Sequence, residues 1–500
     1  MKKLFFIVVI ICITLFSNIK IYAQELTNSR HYFFTQIINN IDTDDSIIKP
    51  YYLDYVIKNS DIKLRNERKL LSVSANNSNL NELAYMVGVP VVVSGPYIGK
   101  SDSVVPLDTL PKRLKYPIYR TYENDHLVSS PLTGVWTPMR KLQYKLRNKY
   151  GLYTRLVGYM YSGYAPQSKK TNESYAGMIA GEIYSSWLLN NDEKYGGITH
   201  LSLEVGYKFN LNNDSPDLGE AIGSNISSNL TLSPTEAIIG DIFLSKGFFN
   251  NKLILNVGRL TSWYFYGYNI YTDDELSRNM NSMLNGGNAL PNGGGNATKP
   301  GLAIQYFMNK NINFNFAFNN PEGKDSDFDF TIYNHQHQFI SFESNYVYRN
   351  KDDLLTKFSG GVHYGKGLKD NKLNEGFGFS LAFQTELSKP IYTPYIGLYA
   401  RILYSEPNIS KVTQEYSVGM TVEHFLHVRD SSLGFGGGMS VPSITAFSEE
   451  WFTDTYYRFY LTENSHLTFD LQLFLNSDNS DEYNTDFVKP VLNFRYCFVL

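Results

Sequence analysis

Cysteine is almost absent. The 500-residue chain has two, Cys12 and Cys497. Cys12 sits in an N-terminal apolar segment, so no internal disulfide framework is open to the rest of the chain. Nor does the chain contain a second long apolar run. After Phe16 nothing approaches the roughly 18–20 apolar residues that a membrane-crossing helix needs. Excess charge is lacking too: the formal net charge is -3, and without a basic run there is no electrostatic footprint for nucleic acid. Tryptophan is scarce, at 4 residues, yet aromatics reach 15% because 39 Tyr and 32 Phe are present. Mean hydropathy is only -0.28. Many large rings in a polar chain without helical spans suggest rings turned outward from a sheet.

The first residues read as an export signal. Lys2 and Lys3 precede the apolar stretch Leu4–Phe16, and Ile21-Tyr22-Ala23 ends on the small residue that signal peptidase requires. Met1–Ala23 is therefore expected to be a cleaved signal peptide. Gln24 to His126 is mixed, with short helical pieces at Thr35–Ile41, Ile62–Leu71 and Asn79–Met86 and an apolar run at Val87–Val93. It is expected to be a periplasmic N-terminal segment or a lead-in, and its role is not legible.

From about Leu127 onward, period-2 alternation takes over. Leu201–Leu211 sets Leu201, Leu203, Val205, Tyr207, Phe209 and Leu211 against Ser202, Glu204, Gly206, Lys208 and Asn210. On a strand these two sets point to opposite faces. Asn311–Asn319, Phe377–Leu387, Tyr395–Tyr404 and Leu467–Leu475 repeat the pattern. Runs of about nine to eleven residues suit tilted strands crossing a bilayer. Turn-rich stretches divide them, at Asn212–Pro216, Asn320–Asp327, Gly367–Asn374 and Asn476–Asn484. A soluble β-sandwich would use shorter strands, and it would not place Lys, Glu, Asp and Arg on one face strand after strand. Residues 127–500 are therefore expected to form an all-β, transmembrane antiparallel barrel. At about 20–25 residues per strand and connection, that length allows on the order of 16 strands. Leu492, Phe494, Tyr496 and Phe498 alternate toward Leu500, as a final barrel strand would.

Motifs for other chemistry fall short. Gly95-Pro-Tyr-Ile-Gly99-Lys100-Ser101 has three residues between its glycines. A phosphate loop needs four, and Pro96 removes a donor. His335-Gln-His337, read as two imidazoles on one strand face, and His424 with His427 lack cysteine or acidic companions at ligand spacing. Glu449 and Glu450 are adjacent, so on a strand they diverge. No Gly-x-Ser-x-Gly elbow occurs. No enzyme, cofactor or metal is expected. Pro138–Tyr150 carries Met139, Leu142, Leu146 and Tyr150 at helical spacing among basic residues, and is expected to be a packing helix at the start of the barrel.

Several segments resemble one family. These are Leu132-Thr133-Gly134-Val135-Trp136 with Arg140, Leu142, Leu146 and Gly151; Leu253–Thr261 with Gly258-Arg259; Arg429-Asp430 with Gly434; and the closing Glu450, Tyr457, Leu461-Thr462, Leu467-Thr468-Phe469-Asp470-Leu471-Gln472 and Arg495. In order and spacing they are similar to the carbohydrate-selective porin (OprB-type) family. Thr137-Pro138 stands where that family has two glycines, and Phe469 where it has a proline. The resemblance implies a Gram-negative outer-membrane porin that passes monosaccharides and other small polar solutes. It further implies a surround of outer-membrane lipid and lipopolysaccharide, and a homo-oligomer, three copies being usual. The other expectation is a barrel-based adhesin or assembly factor without an open pore.

Alternation nominates lumen-facing residues: Arg155, Glu182, Glu204, Lys208, Gln384, Glu386, Arg401, Glu423, Arg458, Asp470, Gln472 and Arg495, with Tyr395 and Tyr399 on the face of Arg401. Arg259 is nominated by the resemblance alone. Arginine forks would donate to sugar hydroxyls, carboxylates and amides would accept, and rings would pack on a sugar's apolar face. Tyr264–Lys299, with its Asn285-Gly-Gly-Asn288 and Asn292-Gly-Gly-Gly-Asn296 runs, is open to two roles: an inward constriction loop, the favoured one, or an exposed loop.

Overall fold

In a computed structural model, the described residues are Leu142, Leu146, Tyr150 and 152–499, except 169–173, 193–196, 213–216, 230–235, 250–251, 262–264, 268–270, 272–278, 288, 291–297, 310, 322–331, 351–353, 369–373, 388–394, 424, 426–430, 444–447, 463–464 and 478–487. The expected signal peptide, the N-terminal segment with its Gly95–Ser101 loop, and the His424/His427 pair lie outside the described residues.

The strands are β1 (Leu152–Tyr164), β2 (Tyr175–Asp192), β3 (Gly197–Asn210), β4 (Glu236–Phe248), β5 (Leu253–Thr261), β6 (Thr298–Phe307), β7 (Ile312–Asn319) and β8 (Gln338–Arg349). They continue as β9 (Leu355–Lys366), β10 (Glu375–Glu386), β11 (Tyr395–Ser405), β12 (Val412–Glu423), β13 (Ser432–Pro442), β14 (Glu450–Thr462), β15 (Ser465–Leu475) and β16 (Lys489–Val499). Each pairs antiparallel with its chain neighbours, and β1 pairs β16, which closes a 16-strand barrel. Closure leaves no open sheet edge, which is the condition for a sheet to stand in hydrocarbon. A short helix, α1 (Leu218–Ala221), lies between β3 and β4. Leu142, Leu146 and Tyr150 are helical, as their spacing predicts, and Trp187 Nε1 donates to the Tyr150 carbonyl at 3.0 Å.

The alternation fixes the two faces. On β10, Phe377, Phe379, Leu381 and Phe383 are exposed, while Gly378, Ser380, Ala382 and Gln384 are buried. On β15, Phe469 and Leu471 face out, and Thr468, Asp470 and Gln472 face in. Outward rings pair across strands: Phe358 with Phe383 at 5.0 Å, and Phe379 with Tyr404 at 5.4 Å. One strand breaks the pattern. At Gly258, φ is +143°, and a Cβ there would collide with the Ile242 carbonyl and Phe243. The alternation changes phase at this glycine, so Asn256 and Arg259 are both buried. His335 and His337 also differ from expectation. They lie in the bend before β8, with His335 exposed and His337 Nδ1 2.9 Å from the Gly367 carbonyl oxygen.

Short connections join β4 to β5, β6 to β7 and β8 to β9 at one end. In the second, Asn309 Oδ1 accepts from the backbone N–H groups of Asn311 and Ile312. The β3–β4 and β5–β6 connections leave from the other end and are long.

The β1–β16 seam joins the ends of the barrel and must form over the longest chain separation. Gly158 pairs with Phe498 there, and a Cβ on Gly158 would lie 2.0 Å from the Phe498 Cε1, overlapping the ring. Gly158→Val is expected to cost about 1–3 kcal/mol through overpacking and to slow refolding into detergent. The readout is the band that shifts on heating in gel electrophoresis. Gly181→Val, a partner position with nothing near its Cβ, is expected to refold normally.

Candidate functional site in the barrel interior

The inward face of the wall is polar, and two connections are seated against it. The first follows β3. Asp217 caps α1, accepting from Gly219 N (2.9 Å), Ser228 N (3.1 Å) and Ser228 Oγ (3.2 Å). Burial raises this carboxyl above the usual carboxylate range, and those bonds oppose the rise. Leu218, Ile222 and Ile226 are buried in the interior cluster. The wall holds the segment by its backbone: Lys489 Nζ donates to Ile222 O (2.9 Å), Gln472 Nε2 donates to Ser228 O (2.9 Å), and Glu450 accepts from Asn225 N (3.0 Å).

The second connection follows β5. Its described residues, 265–267, 271, 279–287 and 289–290, are all buried. The Tyr264–Lys299 stretch thus folds inward in its described part; the run at 292–296 lies outside the described residues. Arg401 on β11 is its main holder. Nη1 donates to the Gly267 and Asn285 carbonyls at 3.3 Å each, and Nη2 donates to Met283 O and to Glu415 Oε1 at 3.0 Å. Glu415 also accepts from Ala289 N (3.2 Å). Glu343 accepts from Gly267 N (2.5 Å), Thr421 donates to Tyr271 O (2.8 Å), and Tyr266 OH bonds His363 Nδ1 (2.9 Å). Further round, Asp454 accepts from Asn279 Nδ2 (2.8 Å), and Gln472 Oε1 accepts from Asn281 Nδ2 (3.2 Å).

Close approach is possible because the wall carries glycine where the segment's bulky groups land. Leu284 meets the Gly436 position at 2.5 Å from where a Cβ would be, Tyr266 meets Gly361 at 2.6 Å, and Tyr271 covers Gly397.

The nominated residues therefore divide. Arg259, Gln384, Tyr399, Arg401, Arg458, Asp470, Gln472 and Arg495 are inward and at most 3% exposed. Tyr399 OH bonds Ser417 Oγ (2.5 Å), and its ring lies 5.8 Å from the Arg401 guanidinium. Asp470 Oδ1 accepts from Gln472 Nε2 (2.9 Å) and Asn493 Nδ2 (2.6 Å), and Arg495 Nη2 donates to Thr468 Oγ1 (3.3 Å). Arg259 Nη2 donates to the Ile239 and Thr298 carbonyls. Glu386 sits at a strand end and accepts from Leu355 N (2.9 Å). Glu182 accepts from Tyr159 and Tyr184. The side chains of Arg155, Tyr395 and Glu423 lie outside the described residues. Residues not nominated that the site uses include Glu343, His363, Glu415, Thr421, Glu450, Asp454 and Lys489. Most share strand parity with nominated ones: Glu450 and Asp454 with Arg458, and Glu415 and Thr421 with Glu423.

A closed 16-strand antiparallel barrel with an aromatic outer face, a polar interior and a long connection tucked inside has the architecture of a porin barrel. Among solved structures, Pseudomonas putida OprB at high pH shares this fold: the TM-score is 0.60 at 12% identity, over 76% of this chain and 100% of that chain. The low-pH structure of the same protein aligns with a TM-score of 0.46 at 11% identity, over 76% of this chain and 100% of that one. A mutant of Rh. blastica porin aligns with a TM-score of 0.43 at 10% identity, over 70% of this chain and 100% of that one. No family model and no curated protein matches the sequence.

Proposed function

We propose that this chain is an outer-membrane porin through which sugars and other small polar solutes diffuse. The observation that carries this reading is the two-faced closed barrel: rings and aliphatics outside, carboxylates, guanidinia and amides within. The sugar class rests on the resemblance of the sequence segments to carbohydrate-selective porins. The end with the short connections is taken as the periplasmic one, by the general rule for bacterial barrels. The chain enters β1 at that end, which suits a periplasmic place for residues 24–126 after removal of the signal. Lipid and lipopolysaccharide would cover the outer face, and copies of the chain would associate through it. Arg155, Arg259, Gln384, Glu386, Tyr395, Tyr399, Arg401, Arg458, Asp470, Gln472 and Arg495 are the proposed wall residues. Of those with described side chains, Arg401 and Gln472 bond directly to the two inserted connections, which narrow the lumen.

The full chain, reconstituted in planar bilayers, is expected to give stepwise single-channel currents. In liposomes it is expected to swell vesicles faster with smaller sugars. A second reading rests on how completely Arg259, Arg401, Arg458 and Arg495 are buried, each at 2% exposure or less. A barrel filled by its own connections would serve as a surface scaffold. It would be electrically silent, so silence in bilayers containing correctly folded protein would favour that reading over the porin.

A further inference from the structure

One part of the inward wall is lined by a row of neutral side chains. Strands β5–β7 and the start of β8 present amides and a hydroxyl at inward positions: Asn256, Gln305, Asn313, Asn315, Asn319 and Ser341. All are buried, at 2% exposure or less. Asn313, Asn315 and Asn319 share one face of β7, whose other face carries Phe314, Phe316 and Phe318 toward the outside. Inward neighbours along a strand are about 7 Å apart, and cross-strand neighbours about 5 Å. Gln305 lies opposite Asn315, and Ala317, between Asn315 and Asn319, lies opposite Ser341.

The ladder satisfies itself only in part. Gln305 Nε2 donates to Asn315 Oδ1 (3.4 Å), Asn313 Nδ2 donates to the same oxygen (3.1 Å), and Asn256 Nδ2 reaches Gln305 Oε1 at 3.5 Å. Asn313 Oδ1, both polar atoms of the Asn319 amide and Ser341 Oγ have no hydrogen-bond partner among the described residues. An unpaired buried polar group is costly, so a partner that satisfies these atoms would gain by binding here. The six side chains carry no charge, and the guanidinium on the same stretch of wall, that of Arg259 on β5, is engaged by the Ile239 and Thr298 carbonyls. A carboxylate further along β8, Glu343, is already taken by Gly267 N and Asn345 Nδ2. A neutral row that donates and accepts equally matches a neutral ligand whose groups do the same, which is the property of a hydroxyl.

We infer that the inward face of β5–β8 is a binding track for uncharged polyhydroxy solutes, with Asn313, Asn319 and Ser341 as its unpaired hydrogen-bonding positions. The inference rests on the proposed sugar-passing role and names where in the barrel the sugar is handled. The row recognises hydroxyls without holding them, since each contact is a single neutral hydrogen bond.

The test uses the full chain in liposomes and planar bilayers, with glucose and maltose as neutral probes and potassium chloride as the charged one. Asn313→Leu and Asn319→Leu keep side-chain size and remove the amides. Asn313→Ser and Asn319→Ser keep a hydroxyl and serve if the leucine variants do not give a folded band. In the leucine variants sugar-driven swelling is expected to fall about threefold or more, and block of the ion current by added sugar to weaken, with potassium chloride conductance nearly unchanged. The serine variants are expected to lie between. Sugar and salt fluxes that fall in proportion would mean a structural role and overturn the track, as would unchanged sugar flux. If the parent protein conducts salt but neither passes sugar nor is blocked by it, the sugar-passing role itself fails and takes the track with it. That outcome differs from a track failure, in which the parent is sugar-permeable and the variants match it.

Discussion

Arg401→Met is expected to raise the single-channel conductance of the reconstituted protein several-fold and to make the current fluctuate. The guanidinium is fully enclosed and holds three backbone carbonyls of the β5–β6 connection as well as the Glu415 carboxylate. Methionine fills much of the volume and supplies no donor. The loss is then twofold: the connection is released at Gly267, Met283 and Asn285, and the buried Glu415 loses the cation beside it. Breaking one side of a buried ion pair costs about 3–5 kcal/mol. The barrel wall is a closed hydrogen-bonded ladder, so the cost falls on the weaker partner, the inserted segment. Each 1.4 kcal/mol is about tenfold in an equilibrium. The population of the displaced segment would therefore grow by roughly two to three and a half orders of magnitude. A double variant, Arg401→Met with Glu415→Met, removes the stranded charge and is expected to recover part of the parent behaviour, because an apolar pair can replace a buried ionic one. Parent-like conductance in folded Arg401→Met would show that the arginine does not hold the segment.

That role was only half legible in the sequence. Alternation placed Arg401 inward, on the face of Tyr399 and away from Ile402, because strand geometry is local and forces the parity of every side chain. The same rule located β3, β7, β10, β11, β15 and β16, and separated the exposed Phe469 from the buried Asp470. It could not show what Arg401 touches. Its carbonyl acceptors lie in a connection more than a hundred residues away, and every residue possesses a carbonyl. Sequence spacing carries no trace of such a contact. The β3–β4 insertion was hidden for the same reason: Asn212–Pro216 reads as a turn, and nothing in Leu218, Ile222 or Ile226 says which surface they seek. Gly397 and Gly436 look like ordinary strand glycines until a ring and a leucine of the inserted segment are placed above them. Arg259 stood on a strand with poor alternation because Gly258 shifts the phase, a backbone event that residue types alone do not announce.

Arginine placed on the outer face should be penalised according to depth. Leu381 sits midway along β10 and is 53% exposed, with Phe379 and Phe383 beside it on the same face. If this face meets hydrocarbon, Leu381→Arg puts a cation near the bilayer midplane and is expected to cost about 2–4 kcal/mol, whereas Phe377→Arg, toward the strand end, is expected to cost about 0–1 kcal/mol from the charge. Denaturant titration in lipid vesicles, followed by the heat-shifted band, measures both. The two sites share a strand, a face and similar apolar neighbours, so differences in sheet propensity largely cancel and the depth term remains. Phe377 also packs on Tyr364 at 5.2 Å, so its replacement loses a ring contact as well. That loss works against the expected order and makes the comparison stringent. A larger penalty at Leu381 in vesicles, vanishing in a detergent micelle thin enough for the arginine to reach water, would place the ring-covered face in lipid. Equal penalties in both media would place it in water or against protein, and no diffusion pathway across a membrane could then be assigned to the barrel.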